Sequence, residues 1–247
     1  TTTSAYDSGL LGAVIPAFER AAGVRVKVVA VGSGEAFELG RRGDADVLLV
    51  HDPDGEARFV AEGHGLWRRE VMRNDFVIVG PPEDPARIRG VTDAVAALDR
   101  LQAGGAAFVS RGDRSGTHSR EMRLWQETGI SPGGRWYLET GSGMGATLVV
   151  ASEKGAYTLS DRATFLTLRE RLRLEVLVEG DPRLENRYSV IAVNPAQHPG
   201  VYAEGAAALA DFLTVGEGAG IIGRFGADRF GAPLFRPTGG GGPGSGG

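Results

Sequence analysis

Residues Asp7–Val31 read DSGLLGAVIPAFERAAGVRVKVVAV, and this stretch indicates the fold class. Over 7–22, apolar side chains recur at helical spacing and fall on one face of a predicted helix. Over 24–31, apolar side chains alternate with other residues, which is typical of a strand. A helix followed at once by a strand is the repeating unit of α/β proteins, in which helices cover mostly parallel sheets and ligands bind beyond the carboxyl ends of the strands.

The same alternation continues along the chain, without a visible internal repeat. Further strands are predicted over 47–50, 76–79, 107–110, 156–159, 175–178 and 189–193, and further helices over 92–101, 115–128, 143–153, 161–171, 202–213 and 218–225. Because Thr1 begins abruptly, we expect an upstream strand and an export signal to have been removed from a longer precursor. The stretch TGGGGPGSGG over 238–247 is too poor in apolar groups to pack and is predicted to be a flexible tail.

The composition excludes several classes of function. Basic residues number 27 against 31 acidic ones, so a net charge of −4 provides no general field for nucleic acid or an anionic membrane surface. Cysteine is absent, which excludes disulfides and thiolate chemistry. No apolar run approaches membrane-spanning length. The four histidines lack zinc spacing, and the serines lie in neither a G-x-S-x-G nor a Walker A loop, so neither a free metal ion nor a serine nucleophile is expected.

Four loops at predicted strand-to-helix junctions are rich in glycine, serine and threonine: 1–4 (TTTS), 31–34 (VGSG), 110–117 (SRGDRSGT) and 141–145 (GSGMG). Glycine lets the backbone approach a ligand, hydroxyls add donors beside each backbone N–H, and the helix dipole favours an anion at this end. For any one loop taken alone, ordinary N-capping is the favoured explanation. The four together, with Arg111 in one of them, predict a site for an oxyanion.

Other patterns leave alternatives open. Residues 141–146 match the dinucleotide pattern G-x-G-x-x-A, and Asp161 follows Gly141 by 20 residues, so an NAD-binding enzyme is one alternative. Against it, the pattern lies in mid-chain and leaves little sequence to complete a sheet. His51 and His118 have acidic neighbours in the manner of metal ligands, but we expect them to be solvated or satisfied within loops.

Six motifs point to a known family, whose similarity covers nearly the whole chain from Thr1 to Pro237: TTTSAYDSGLL, GDADVLLVHDP, VMRNDFVIVGP, SRGDRSGTH, GSGMGATLVVASEKGAYTLSD and LENRYSVIAVNP. Together they resemble the tungstate-binding proteins of the TupA type, which are solute receptors of ABC importers. The resemblance implies a two-lobed, type II-like periplasmic-binding-protein fold that closes on a tetrahedral dianion. Lobe one would be 1–71 plus 188–237 and lobe two 72–187, with crossing strands near 71–80 and 187–195 acting as the hinge.

The ligand-binding residues that the resemblance and the donor loops imply are Thr2, Thr3, Ser33, Arg111, Ser115, Gly116, Thr117, Gly143, Met144 and Thr147. Tungstate and molybdate carry two negative charges and no proton at neutral pH, so such a site needs donors only. Asp113 is therefore expected to orient Arg111 or to cap a helix rather than to contact the ligand.

The chain departs from the family pattern at three positions. The family usually has a second acid at Arg114, a tyrosine at Arg73 and a glutamine at Ser142. Arg114 lies beside the predicted anion loop, where it either adds a donor or points into solvent.

The resemblance implies an extracytoplasmic receptor rather than an enzyme, acting as a monomer without a cofactor. It would capture tungstate, or molybdate, and deliver it to an ABC permease in the membrane. Physics does not separate the two ions, and only the resemblance favours tungstate. An alternative is a cytoplasmic oxyanion sensor whose lobes are fused to an upstream DNA-binding segment.

Overall fold

The computed structural model of the chain describes residues 1–238, so the predicted tail lies outside the described residues apart from Thr238. The helices are α1 (Thr3–Asp7), α2 (Leu10–Ala22), α3 (Ser33–Arg42), α4 (Pro53–Ala61), α5 (Ala94–Ala103), α6 (Gly116–Thr128), α7 (Met144–Lys154), α8 (Arg162–Leu168), α9 (Ala203–Thr214), α10 (Glu217–Arg224) and α11 (Ala227–Phe230). The strands are β1 (Val47–Val50), β2 (Gly65–Gly80), β3 (Phe108–Ser110), β4 (Tyr137–Glu139), β5 (Thr158–Asp161), β6 (Glu175–Val178), β7 (Glu185–Val193) and β8 (Arg236–Pro237). Single 3₁₀ turns cover Arg169–Arg171 and Pro182–Leu184.

The long strand β2 joins the two parts of the molecule. Its residues up to Asp75 pair with β7, whose other edge pairs with β1, and its last residues pair with β5 and β6. All these ladders are antiparallel. The predicted predominance of parallel pairing is therefore wrong for the main ladders, and among the described residues parallel pairing is confined to β3–β4 and two isolated bridges.

The strand predicted over 24–31 does not form, although its alternating valines pack against the core. Only Val31 makes a β-bridge, to Thr2. Among the described residues, the backbone-to-backbone bonds of this segment reach the first residues of the chain: the amino group of Thr1 donates to the Val29 carbonyl at 2.8 Å, and the Val31 N–H to the Thr1 carbonyl at 2.9 Å. The Val26 N–H instead donates to the side chain of Glu19 at 2.7 Å. A strand needs a hydrogen-bonded partner along its length. This segment bonds to the first residues of the chain only near its carboxyl-terminal end, at Val29 and Val31.

The helix predicted over 7–22 begins at Leu10, and Asp7 is instead the last residue of the separate short helix α1. Gly9 adopts a left-handed conformation (φ +82°) between α1 and α2, which a continuous helix does not allow. As a result α1 is a separate turn that carries the N-terminal hydroxyl residues.

Buried side chains form four apolar clusters, which define two lobes. Two clusters contain only residues between 76 and 184, including Trp125 packed edge-on against Phe108. The other two draw on residues 5–72 and 188–235 and, from the rest of the chain, only Ala163. The fold is therefore α/β and two-lobed, with β2 and β7 passing between the cores.

Within residues 1–238, no single helix combines the length and apolar character of a membrane span. The segments Ala203–Thr214 and Glu217–Phe230 reach that threshold only when taken together, and they are bent by 52° at their junction.

Candidate functional site

Arg111 is the centre of the candidate site. It directly follows β3, and its side chain is 1% exposed. Its guanidinium donates to Asp113 Oδ2 from Nη2 at 2.5 Å and from Nε at 3.1 Å. It also reaches the other lobe, where Nη2 donates to Thr3 Oγ1 at 3.0 Å and Nη1 lies 3.4 Å from Ser4 Oγ. Asp113 thus pairs with Arg111, as predicted.

The bonds that Arg111 makes have a chemical consequence for the hydroxyls. A guanidinium only donates, so Thr3 and Ser4 accept with their oxygen lone pairs. Their hydroxyl hydrogens remain free to donate elsewhere. A buried cation from one lobe therefore lies beside two hydroxyl groups from the other lobe, a combination suited to an anion.

The start of α6 faces the start of α3 across the lobes. Ser115 caps α6 by accepting from the His118 N–H at 3.2 Å, and the Gly116 N–H donates to Ser33 Oγ at 3.2 Å. The Thr117 hydroxyl, one residue on, is buried and has no hydrogen-bond partner in the part of the chain that the structure describes. A buried hydroxyl without a partner is costly, so this position suits a polar ligand.

Gly116 also makes the closest approach between the lobes. A Cβ atom at this position would lie 2.6 Å from the carbonyl oxygen of His51. A side chain therefore does not fit while the lobes are in this arrangement.

The starts of α1 and α7 lie side by side. Thr2 is the N-cap residue of α1, and its buried hydroxyl has no hydrogen-bond partner among the described residues. Gly143 is the N-cap residue of α7, and a Cβ atom there would lie 3.6 Å from the Thr3 side chain. The first α7 residue, Met144, buries its side chain in an apolar cluster. At this helix start, Met144 can therefore offer a ligand only the polar groups of its backbone.

Thr147 differs from the other predicted residues. Its hydroxyl lies 2.9 Å from Thr140 Oγ1 and donates to the Gly143 carbonyl at 3.0 Å. That hydroxyl therefore ties the loop before α7 together. Its hydrogen is already used within the protein, so the geometry favours a loop-bracing role for this side chain.

Two alternatives from the sequence concern Arg114 and Asp161: whether Arg114 adds a donor to the anion loop, and whether Asp161 belongs to a dinucleotide site. Arg114 is exposed, with φ +57°, so its side chain points into solvent. Asp161, the acid of the dinucleotide pattern, is buried and caps α8 by accepting from the Thr164 N–H at 2.9 Å. Burial raises the pKa of this carboxyl to about 6. Among residues 1–238, no group of three histidine or acidic side chains is placed to hold a metal ion.

His51 was expected to be solvated or satisfied within a loop, and that expectation is wrong. It is 3% exposed and stacks on Tyr188 with ring centroids 4.8 Å apart. Its Nδ1 lies 2.8 Å from Asn186 Oδ1, and the Asn186 amide donates to Asn74 at 2.7 Å, so Nδ1 carries the hydrogen. Burial lowers the pKa of His51 to about 4, which keeps the ring neutral.

Two residues near the site were missed in the sequence. Ser4 belongs to the quoted TTTS loop but was not included in the site, although it contacts Arg111. The signal for His51 was its position directly after the buried strand β1, at an edge where ligands of α/β proteins bind.

Comparison with known proteins places this geometry in a family. Residues 1–217 match the family PBP_like_2, described as a PBP superfamily domain. The tungstate-binding protein TupA of Peptoclostridium acidaminophilum is 46% identical over 240 residues, which cover 96% of this chain and 84% of that protein.

Solved structures of tungstate-binding proteins are also similar to this chain. The tungstate ABC transporter structure from Geobacter sulfurreducens superposes with a TM-score of 0.84 at 47% identity, covering 91% of this chain and 96% of that one. TupA from Desulfovibrio alaskensis G20 superposes with a TM-score of 0.79 at 42% identity, covering 96% of both chains. The chain therefore belongs to the PBP superfamily and, within it, to the family of TupA-type tungstate-binding proteins.

Proposed function

We propose that this chain is an extracytoplasmic solute receptor that captures tungstate between its lobes and delivers it to the permease of an ABC importer. The names of its relatives support a binding protein over an enzyme and over a DNA-binding sensor. Binding, closure and delivery are then the whole chemistry, without a cofactor. We expect the receptor to act as a monomer outside the cytoplasm.

The observation that carries the proposal is the buried guanidinium of Arg111, which lies within hydrogen-bond distance of hydroxyls from the other lobe. Two further buried hydroxyls, of Thr2 and Thr117, have no hydrogen-bond partner among residues 1–238. A dianion without a proton only accepts hydrogen bonds, so donors of this kind match it. The proposed ligand residues are Thr2, Thr3, Ser33, Arg111, Ser115, Gly116, Thr117 and the backbone at Gly143 and Met144, with Thr147 supporting the loop.

Closure of two lobes on the ion follows from the same contacts. We propose that lobe one comprises 1–71 with 188–237 and lobe two 72–187. The donors lie on both, so only the closed arrangement brings them to one ion, and the ligand stabilises that arrangement. The crossing strands near 71–80 and 187–195 would absorb the motion.

Tungstate is preferred to molybdate because the relatives are named for tungstate. The two ions have the same charge and nearly the same size. The donor set described above binds either, so molybdate is expected to be the strongest competitor.

Replacing Thr117 by valine tests the proposal, because it is expected to change stability and affinity in opposite directions. Valine has the same shape and removes a buried hydroxyl without a partner, so the ligand-free protein should gain about 1 kcal/mol of unfolding free energy. Tungstate should bind about tenfold more weakly, since one donor is lost. Denaturant unfolding and calorimetric titration measure the two effects.

The matched control is Thr214→Val, because the Thr214 hydroxyl donates to the Ala210 carbonyl at 2.8 Å in another part of the molecule. This variant should lose stability and keep the affinity for tungstate. If Thr117→Val instead lowered stability without weakening tungstate binding, the Thr117 hydroxyl would be a structural group and the proposed site would be wrong there.

A further inference from the structure

Glu121 is a buried carboxylate of α6 for which the binding mechanism above has no role. It is 1% exposed and accepts from three side chains: Ser110 Oγ at 2.8 Å, Tyr137 Oη at 2.6 Å and Trp125 Nε1 at 3.2 Å. An indole N–H can only donate. Ser110 Oγ already accepts from the Gly112 N–H at 3.2 Å, so its own hydrogen points to Glu121. Three donors around one carboxyl fit the ionised form.

This network is connected to the anchoring arginine. Ser110 and Gly112 are the residues on either side of Arg111, and Gly112 has the left-handed φ of +61° that this turn requires. On the other side of the loop, the Gly141 N–H donates to the Arg111 carbonyl at 2.8 Å. Hydrogen bonds thus hold the backbone of Arg111 from both sides. Glu121 belongs to one of these two sets of bonds, because it accepts from the Ser110 hydroxyl that binds the Gly112 N–H.

We propose that Glu121 is a positioning residue for oxyanion binding: its ionised carboxylate holds Ser110 and the Gly112 turn, and thereby keeps Arg111 in the site. Protonation of Glu121 releases this support and weakens tungstate binding. The inference rests on the proposed function and adds to it a dependence of affinity on pH.

The surroundings of Glu121 place its titration near neutrality. Burial raises its pKa from 4.5 to about 7, against the lowering effect of the three donors. The charged group that faces it is Glu139 on β4, which raises the pKa further, while Ser110, Tyr137 and Trp125 are neutral. The pKa of Tyr137 is itself raised, first by burial and then by the Glu121 charge.

The predicted effects of pH on folding and on binding have opposite signs. Because the pKa of Glu121 is raised in the folded protein, ionisation of Glu121 lowers the unfolding free energy as the pH rises from 4.5 to about 7. Tungstate affinity rises over the upper part of that range. A carboxyl with only a structural role would change folding stability without changing the affinity of the folded protein.

The experiment compares the wild type with Glu121→Gln by calorimetric titration with sodium tungstate at pH 6 and pH 8. The wild type should bind about tenfold more weakly at pH 6, as expected for loss of one charge-assisted hydrogen bond. Glu121→Gln should already bind weakly at pH 8 and should lose this tenfold change. Asp161 also titrates near pH 6, so the part of the pH dependence that Glu121→Gln removes is the part assigned to Glu121.

Glu127→Gln is the matched control on the same helix, since the Glu127 side chain is 50% exposed and pairs with Arg183 on the surface. This variant should keep the wild-type affinity and its pH dependence. A second readout is the indole N–H resonance of Trp125, which should titrate near pH 7 in the wild type and not in Glu121→Gln.

Three results would overturn the inference: equal affinity of Glu121→Gln and wild type at pH 8, a wild-type affinity that rises towards pH 6, or no titration at Trp125. If Glu121→Gln does not fold, Tyr137→Phe replaces it. Loss of one donor to the carboxylate should move the midpoint of the affinity profile to higher pH, and an unchanged midpoint would contradict the proposal. Failure of the wild type to bind tungstate at either pH would instead remove the proposed function.

Discussion

Arg111→Ala is expected to bind tungstate about two to four decades more weakly than the wild type while keeping its fold. The substitution removes charge-assisted hydrogen bonds to a dianion that closure removes from water, and loss of two such bonds costs about 3–6 kcal/mol. The neutral hydroxyls of Thr3 and Ser4 cannot supply the missing charge. Calorimetric titration gives the affinity, and circular dichroism gives the fold.

Removal of Arg111 leaves Asp113 without its cation. Asp113 Oδ1 still accepts from the Ser115 N–H at 3.1 Å, so the turn before α6 keeps one of its bonds. Arg114→Ala is the control, because that side chain is exposed and should change affinity by less than about tenfold. The reverse ranking of the two variants would show that the anchoring arginine has been assigned wrongly.

Gly116→Ala has the second largest expected effect. The added methyl group would lie 2.6 Å from the His51 carbonyl oxygen, and a backbone atom does not move aside as a flexible side chain does. Overpacking of this kind costs about 1–3 kcal/mol, which corresponds to about one to two decades in affinity. Since the contact is between the lobes, it should oppose closure rather than disrupt either core.

Small-angle scattering and calorimetry together test whether Gly116→Ala opposes closure of the lobes and weakens tungstate binding. With saturating tungstate, Gly116→Ala should remain more extended than the wild type under the same conditions. Gly12→Ala is the control, because a Cβ atom at Gly12 in α2 would meet no described atom within 4 Å apart from its chain neighbours and the backbone of its own helix. That variant should gain roughly 0.5–1 kcal/mol of stability from helix propensity and bind normally. Normal tungstate affinity in Gly116→Ala would contradict closure at this contact.

Local chemistry made much of the site predictable. Arg111 and Asp113 lie two residues apart, and a buried arginine needs a charged partner, so their pairing followed from the sequence. Serine, threonine and glycine before apolar helical patterns likewise placed the starts of α6 and α7, and the predicted strand-to-helix junction over 31–34 lies where α3 begins. These predictions depend on residues a few positions apart.

Features that depend on distant contacts were not predictable. The antiparallel ladder between β2 and β7 joins residues more than a hundred positions apart, and alternation alone does not give its direction. The segment 24–31 has the periodicity of a strand, but strand formation depends on neighbours that the pattern does not specify. The burial of His51 requires the Asn186 and Tyr188 side chains, which the fold brings to it.

The direction of individual side chains was also not predictable from the sequence. The sequence indicated that the helix start at Gly143 offers donors, but it did not show that the Thr147 hydroxyl donates back to the Gly143 carbonyl. Threonine commonly makes such bonds to a carbonyl one turn earlier in a helix. Whether a hydroxyl faces a ligand or its own helix depends on the rotamer, which the sequence does not specify.

The most direct test of the central claim is a calorimetric titration of the wild-type chain with tungstate, followed by competition with molybdate, sulfate and phosphate. One tungstate per chain should bind, molybdate should compete best, and phosphate should compete poorly because its proton needs an acceptor. At about a thousand times the dissociation constant, tungstate should stabilise the fold by about 4 kcal/mol and raise the melting temperature by about 8–16 °C. No heat of binding and no rise in melting temperature with tungstate or molybdate would contradict the assignment of this chain as an oxyanion receptor.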